Sequence, residues 1–213
     1  MRNHFLKYRH TKHRHTKTLR WVATFAAITF LSSPAFAHTV PGQAKGFITG
    51  FLHPLSGLDH VLAMVAVGIW GAQLKRPAIW ILPVAFPLVM SFGGLLGMRG
   101  VPLPGVEIGV AASAVVLGIV IALELRPPLW VAALIVSAFA ICHGHAHGTE
   151  LPKVASPLTY AMGFVLATGL LHVTGILIGL VDLLPVGGKL LRTAGGLIAT
   201  TGLVLLAALV SHA

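Results

Sequence analysis

The chain is 213 residues long, 56% apolar and only 9% charged, with a formal net charge of +10. Five acidic residues cannot hydrate the surface of a soluble domain of this size, in which about a quarter of the residues are ordinarily charged, so the composition calls for a lipid bilayer as solvent. The positive charge does not mark a nucleic-acid binder: seven of the fifteen cations fall in the first twenty residues, and the rest are scattered singly between apolar runs, leaving no basic face for a phosphate backbone.

The first 37 residues have the three parts of a secretory signal. A basic stretch ends at Arg20, an apolar core runs from Trp21 to Leu31, and Ala35-Phe36-Ala37 forms an A-x-A cleavage site after Pro34. Cleavage after Ala37 is expected. It would expose His38 with a free amine beside its imidazole, a pair able to chelate a metal ion.

Residues 38–213 then read as an all-α polytopic bundle of six transmembrane helices, at 46–74, 77–98, 104–125, 128–148, 156–184 and 189–211. The breaks between them are short and carry Pro, Gly and single cations, which predicts antiparallel neighbours. Small residues at close spacing within the spans, such as Gly93, Gly94 and Gly97, read as helix-packing positions. With the leader removed, an even number of spans puts both mature termini in the periplasm of a bacterial inner membrane. Lys75, Arg76, Arg126, Lys189 and Arg192 then fall on the cytoplasmic side, in weak agreement with the positive-inside rule.

Ionisable side chains within a membrane are costly, and each is a functional candidate. The first span carries His53, Asp59 and His60, two imidazoles and a carboxylate suited to a borderline divalent metal. On an unbroken helix the two histidines would be separated by about 10.5 Å of rise, too far to share one ion. Either Pro54 and Gly57 break the helix and fold His53 back, or the residues are successive stations on a path. Met64, one turn beyond His60, is a candidate thioether ligand, though packing is its commoner role. In the third span Glu107 stands near the expected periplasmic end.

The fourth span ends in Cys142-His143-Gly144-His145-Ala146-His147-Gly148-Thr149-Glu150. His143 and His147 have the i, i+4 spacing that directs two imidazoles to one metal, and Glu150 follows on the same face. His145 points elsewhere and could serve another station. Cys142, the single cysteine, reads as packing more readily than as a soft ligand. The fifth span carries His172 near mid-depth. Glu107, His143, His147, Glu150, His53, Asp59, His60 and His172 all fall between the expected periplasmic surface and mid-membrane, as a funnel ending in a central site would require.

These residues resemble the HupE/UreJ family. The first-span pattern of His53, Pro54, Gly57, Asp59, His60 and Met64, and the run His143-Gly144-His145-Ala146-His147-Gly148-Thr149-Glu150, are similar to the two signatures of that family. One departure is Cys142, where the family usually has an aromatic residue. Glu107 and His172 fit as well. The resemblance implies a secondary permease, not an enzyme, whose cargo is Ni²⁺ or Co²⁺ and whose service is to hydrogenase or urease maturation. It implies no permanent cofactor. The expected partners are the divalent ion and the lipid bilayer, with no nucleic acid, and a homo-oligomer is compatible with the sequence. Two other readings use the same residues: an intramembrane metal-dependent hydrolase with Glu107 or Glu150 as base, and a haem carrier ligated by His53 and His172.

Overall fold

The computed structural model describes residues 46–150 and 157–211. The expected signal peptide and His38 lie outside the described residues. Each segment expected to be a span contains helix, and among the described residues there is no strand. In chain order the helices are α1 (Gly46–Ser56), α2 (Leu58–Leu74), α3 (Ala78–Met98), α4 (Val106–Ala122), α5 (Leu129–Thr149), α6 (Pro157–Gly179) and α7 (Gly187–Ser211), with a single 3₁₀ turn, Leu180–Leu183, after α6.

The first expected span is two helices bent by 83°. Gly57 supplies the break: its backbone is extended, at φ −100° and ψ 120°, so α1 cannot continue through it. Its carbonyl then accepts the Val61 N–H at 3.0 Å and opens α2. Four segments are long and apolar enough to cross a membrane by themselves: α3, α5, α6 with its 3₁₀ turn, and α7. The bent α1–α2 pair makes a fifth if counted as one span. The remaining helix, α4, has 17 residues, about 25 Å of rise against a hydrocarbon core of about 30 Å. On length alone, then, four to five of the six expected spans qualify.

Helix α2 is the axis of the bundle. Nearly every residue from Ala63 to Gln73 is buried, and α3, α4 and α6 all pack against it. Around it, α3 pairs with α5, α4 with α7, and α6 with both α1 and α2. Glycine lets these pairs approach closely. A Cβ on Gly68 or Gly175 would collide with backbone across the α2–α6 contact, and one on Gly118 or Gly195 would do so between α4 and α7. The outer surface carries large apolar side chains, including Trp80, Leu88, Trp130, Leu158 and Leu177, as a lipid-facing surface should.

Two chain reversals close with the same device. After α3, Gly100 sits at φ 68° while Gly100 N–H bonds to Gly97 O and Val101 N–H to Leu96 O. After α4, Glu124 takes the left-handed position at φ 52°, with matching bonds to Ile121 O and Val120 O. Trp70 Nε1 donates to Leu125 O at 3.0 Å and Gln73 Nε2 to Ile121 O at 3.4 Å, so α2 holds the end of α4 through carbonyls of its last turn and the residues after it.

Candidate metal centre

Helix α5 divides its last two turns between two tasks. Gly144 and Gly148 face α3, where a Cβ on either would meet the backbone of Met90 or Gly94. One residue earlier in each turn, His143 and His147 face the bundle interior, at 0% and 7% exposure. The alternation of His and Gly thus seats α5 tightly on α3 while it projects two imidazoles into the centre.

The bend at Gly57 brings the first-span histidines to the same place. His53 from α1 and His60 from α2 both reach His147, with ring centroids 4.7 Å and 4.4 Å apart, and His60 also meets His143 at 4.6 Å. The two-turn separation of a straight helix is abolished by the break, the first of the two outcomes that the sequence allows. For metal–nitrogen bonds of about 2.0–2.1 Å, two imidazoles on adjacent coordination positions have centroids roughly 4.5–5 Å apart. The His53–His147 and His60–His143 contacts fall in that range, and the His60–His147 contact is slightly shorter.

One set of three closes more tightly. Donor atoms of His53, His147 and Glu150 all lie within 4.8 Å of one another. His53 Nε2 stands 3.3 Å from Glu150 Oε2, where Glu150 is 62% exposed and His53 21%. The hydrogen bond from His53 holds the Glu150 carboxyl below its ordinary pKa, against the opposing effect of its partial burial. The C-terminal ends of α1 and α5 come three residues beyond His53 and two beyond His147, and the negative end of a helix dipole favours a cation.

At the opposite side of the cluster, Asp59 orients His60. Its Oδ1 accepts both the backbone N–H of His60 and Nδ1–H of the ring, each at 2.8 Å. The proton on Nδ1 leaves Nε2 as the lone-pair nitrogen, and Nε2 is buried with no hydrogen-bond partner. Both nitrogens of His147 and Nδ1 of His143 are likewise buried and unpartnered. Inside a bundle, bare imidazole nitrogens at this density are costly unless they have a ligand to bind.

The other expected ligands are placed differently. His172 is 1% exposed; its ring contacts Phe86 at 5.4 Å, and Phe86 also contacts His143 at 5.7 Å. Phe86 is thus the neighbour that His172 and His143 share. Both ring nitrogens of His172 are buried with no hydrogen-bond partner; the Pro83 carbonyl nearby has no helical donor because the residue four positions on is Pro87. Met64 is fully buried in the apolar core with Ala63, Val67 and Trp70. His145 donates through Nε2 to Val101 O at 2.7 Å, which ties α5 to the turn after α3. Glu107 is exposed in the first turn of α4, and Cys142 is half-buried beside Gly109.

Three residues at the site carry no sequence signal. Tyr160 and Phe164, one turn apart on α6, wall it: Phe164 packs on His147 at 4.4 Å and Tyr160 on His53 at 5.9 Å. With Met90, Gly94 and Gly148 they also line a crevice that reaches His147 from the outside of the bundle. Ser113 of α4 contacts His143 Nε2 at 2.9 Å.

A family model described as HupE / UreJ protein matches residues 26–205, a range that contains all of these donors. The chain belongs to the HupE/UreJ family. One curated relative, Protein HupE of Rhizobium leguminosarum bv. viciae, is 45% identical over 177 residues, covering 83% of this chain and 93% of the relative. No solved structure matches the chain. This HupE/UreJ member is accordingly a multi-pass membrane protein whose ligand-type side chains gather within the bundle from α1, α2 and α5.

Proposed function

We propose that this chain is a permease that imports a divalent transition metal, Ni²⁺ first and Co²⁺ second, across the bacterial inner membrane. The observation that carries the reading is the row of touching imidazoles, His53, His147, His60 and His143, flanked by Glu150 at one end and Asp59 at the other, inside an apolar bundle. The ion is cargo, and the protein needs no resident cofactor. Imidazole and carboxylate donors suit several borderline metals. Nickel is placed first because of the hydrogenase and urease association that the family resemblance implies.

Exposure supports entry at the Glu150 end. Glu150 is the most open of the donors at 62%, against 33% at Asp59, 21% at His53 and 13% at His60, and His147 and His143 are the most buried at 7% and 0%. A hydrated ion is captured at Glu150 and His53, exchanges water for nitrogen at His147, and passes to His60 and His143, where Asp59 offsets its charge. Phe86 touches both His143 and His172, the next station inward. In this reading the chain has six spans after a cleaved signal peptide, with both mature termini and the Glu150 mouth on the periplasmic side. Each station must bind loosely enough to release the ion to the next.

The test is uptake of radiolabelled nickel and cobalt by cells expressing the chain, with Asp59→Asn and His60→Ala variants that insert normally. Loss of uptake in both is expected; normal uptake in both would refute the site.

A further inference from the structure

The Ser113 hydroxyl is fully buried on α4 and makes two contacts. Its Oγ donates to Val110 O, one turn back, at 2.6 Å, and it lies 2.9 Å from His143 Nε2 on α5. A hydroxyl has one proton and two lone pairs. Two oxygens 2.6 Å apart repel unless a proton lies between them, so the Ser113 proton is committed to the Val110 carbonyl, the ordinary back-bond of a helical serine. Only a lone pair remains for His143, and Nε2 must therefore be the protonated nitrogen that donates to it. Nδ1 is left with the ring's lone pair, and Nδ1 is the buried atom without a partner.

We propose that Ser113 is a positioning residue that holds His143 in the Nε2–H tautomer, so that Nδ1 is the nitrogen offered to the metal. His60 is held the opposite way, because Asp59 takes its Nδ1 proton and leaves Nε2 free. Two facing rings, 4.6 Å apart, thus present opposite nitrogens, each fixed by a hydrogen bond from behind. A carboxylate holds one and a neutral hydroxyl the other. Placing a second carboxylate behind His143 would add a buried negative charge where no cation remains between transport cycles. Serine supplies the orientation without that charge.

The inference rests on the proposed metal permease for its purpose but not for its geometry, and the experiment separates the two. In the full chain, purified and labelled with ¹⁵N-histidine, ring nitrogen resonances report which nitrogen carries the proton, and a His143→Gln variant assigns the signals. His143 is expected as Nε2–H in the wild type and as a mixture of tautomers in Ser113→Ala. Nickel affinity is expected to fall about 10–100-fold in Ser113→Ala, the usual effect of removing a group that orients a metal ligand. Ser113→Thr, which keeps the hydroxyl, is expected to restore both readouts. A wild-type His143 protonated at Nδ1 overturns the proposal, as does a Ser113→Ala protein with unchanged resonances and affinity. If Ser113→Ala does not insert, the wild-type tautomer alone decides. A chain that shows the expected tautomer but neither binds nor moves nickel would sink the permease and leave the Ser113–His143 geometry standing.

Discussion

Replacing Gly57 with alanine adds one methyl group at the bend between α1 and α2. The backbone there, φ −100° and ψ 120°, is open to alanine, so the substitution brings no conformational strain. The new Cβ would stand 2.8 Å from Asp59 Oδ1 and 2.9 Å from His60 Nδ1. Relaxed non-bonded contacts begin near 3.5 Å, so both atoms must retreat by about half an ångström. They are the two ends of the hydrogen bond that fixes the His60 ring. Loss of such an orienting bond lowers metal affinity by about 10–100-fold, or about 1.4–2.8 kcal/mol. Global stability is little affected, because both obstructing atoms are side-chain atoms and a Gly-to-Ala change restrains the unfolded chain by about 0.4–1 kcal/mol in favour of folding. Nickel uptake at limiting metal should therefore fall by that factor while the unfolding temperature of the purified protein stays near wild type. The Gly57→Ala, Asp59→Asn double variant should be no worse than the poorer single variant, since both disrupt one pair. Full additivity of the two, or wild-type uptake in Gly57→Ala, would refute the reasoning.

At the α3–α5 contact, Gly148→Ala is expected to lower both uptake and unfolding temperature, because its Cβ would collide with the Gly94 carbonyl oxygen, a backbone atom that cannot move aside; overpacking of this kind costs about 1–3 kcal/mol or more. Gly196→Ala, with nothing within 4 Å of the added atom, is the control and should leave both unchanged in the same thermal and uptake assays. For pH, imidazole ligates a metal only when neutral, so uptake should fall on acidification. Glu150 does not contribute to that fall: its pKa is lowered by the His53 hydrogen bond, so its charge is lost only below the ordinary carboxylate range. Glu150→Gln should then reduce uptake across the neutral range, and undiminished uptake of that variant at pH 7 would count against this assignment. His172→Ala should slow uptake while equilibrium nickel binding at the outer cluster persists; full uptake would remove His172 from the path.

The donors themselves are legible in the sequence because a histidine or carboxylate inside an apolar run is too costly to stand there without a partner or a task. His53, Asp59, His60, His143, His147 and Glu150 can be picked out individually, and the helical nature of every span follows from apolar length. Two things are not legible. Whether the chain breaks at Gly57 or runs straight is open, because glycine and proline within a membrane helix are common and often harmless; only the fold shows the 83° bend that lets His53 and His60 share His147. Helical spacing also overstates two candidates. Met64 follows His60 by one turn, but that turn already lies in the apolar core, and Glu107, near the expected depth, begins α4 on an exposed face.

What orients the donors escapes the sequence for a physical reason. A lone serine in an apolar helix usually satisfies itself by bonding back to its own helix, as Ser113 does to Val110, so its type and position announce nothing. Its second contact reaches across 30 residues to His143. The carbonyl near His172 is a backbone atom released by Pro87, and the ring that touches both His172 and His143 is an ordinary phenylalanine. In a bilayer, donors are costly enough to stand out by type alone, whereas hydroxyls, freed carbonyls, aromatic rings and glycines cost little and occur throughout. The part of a metal path that decides which nitrogen faces the ion is built from the second group, and it becomes visible only when the helices are packed.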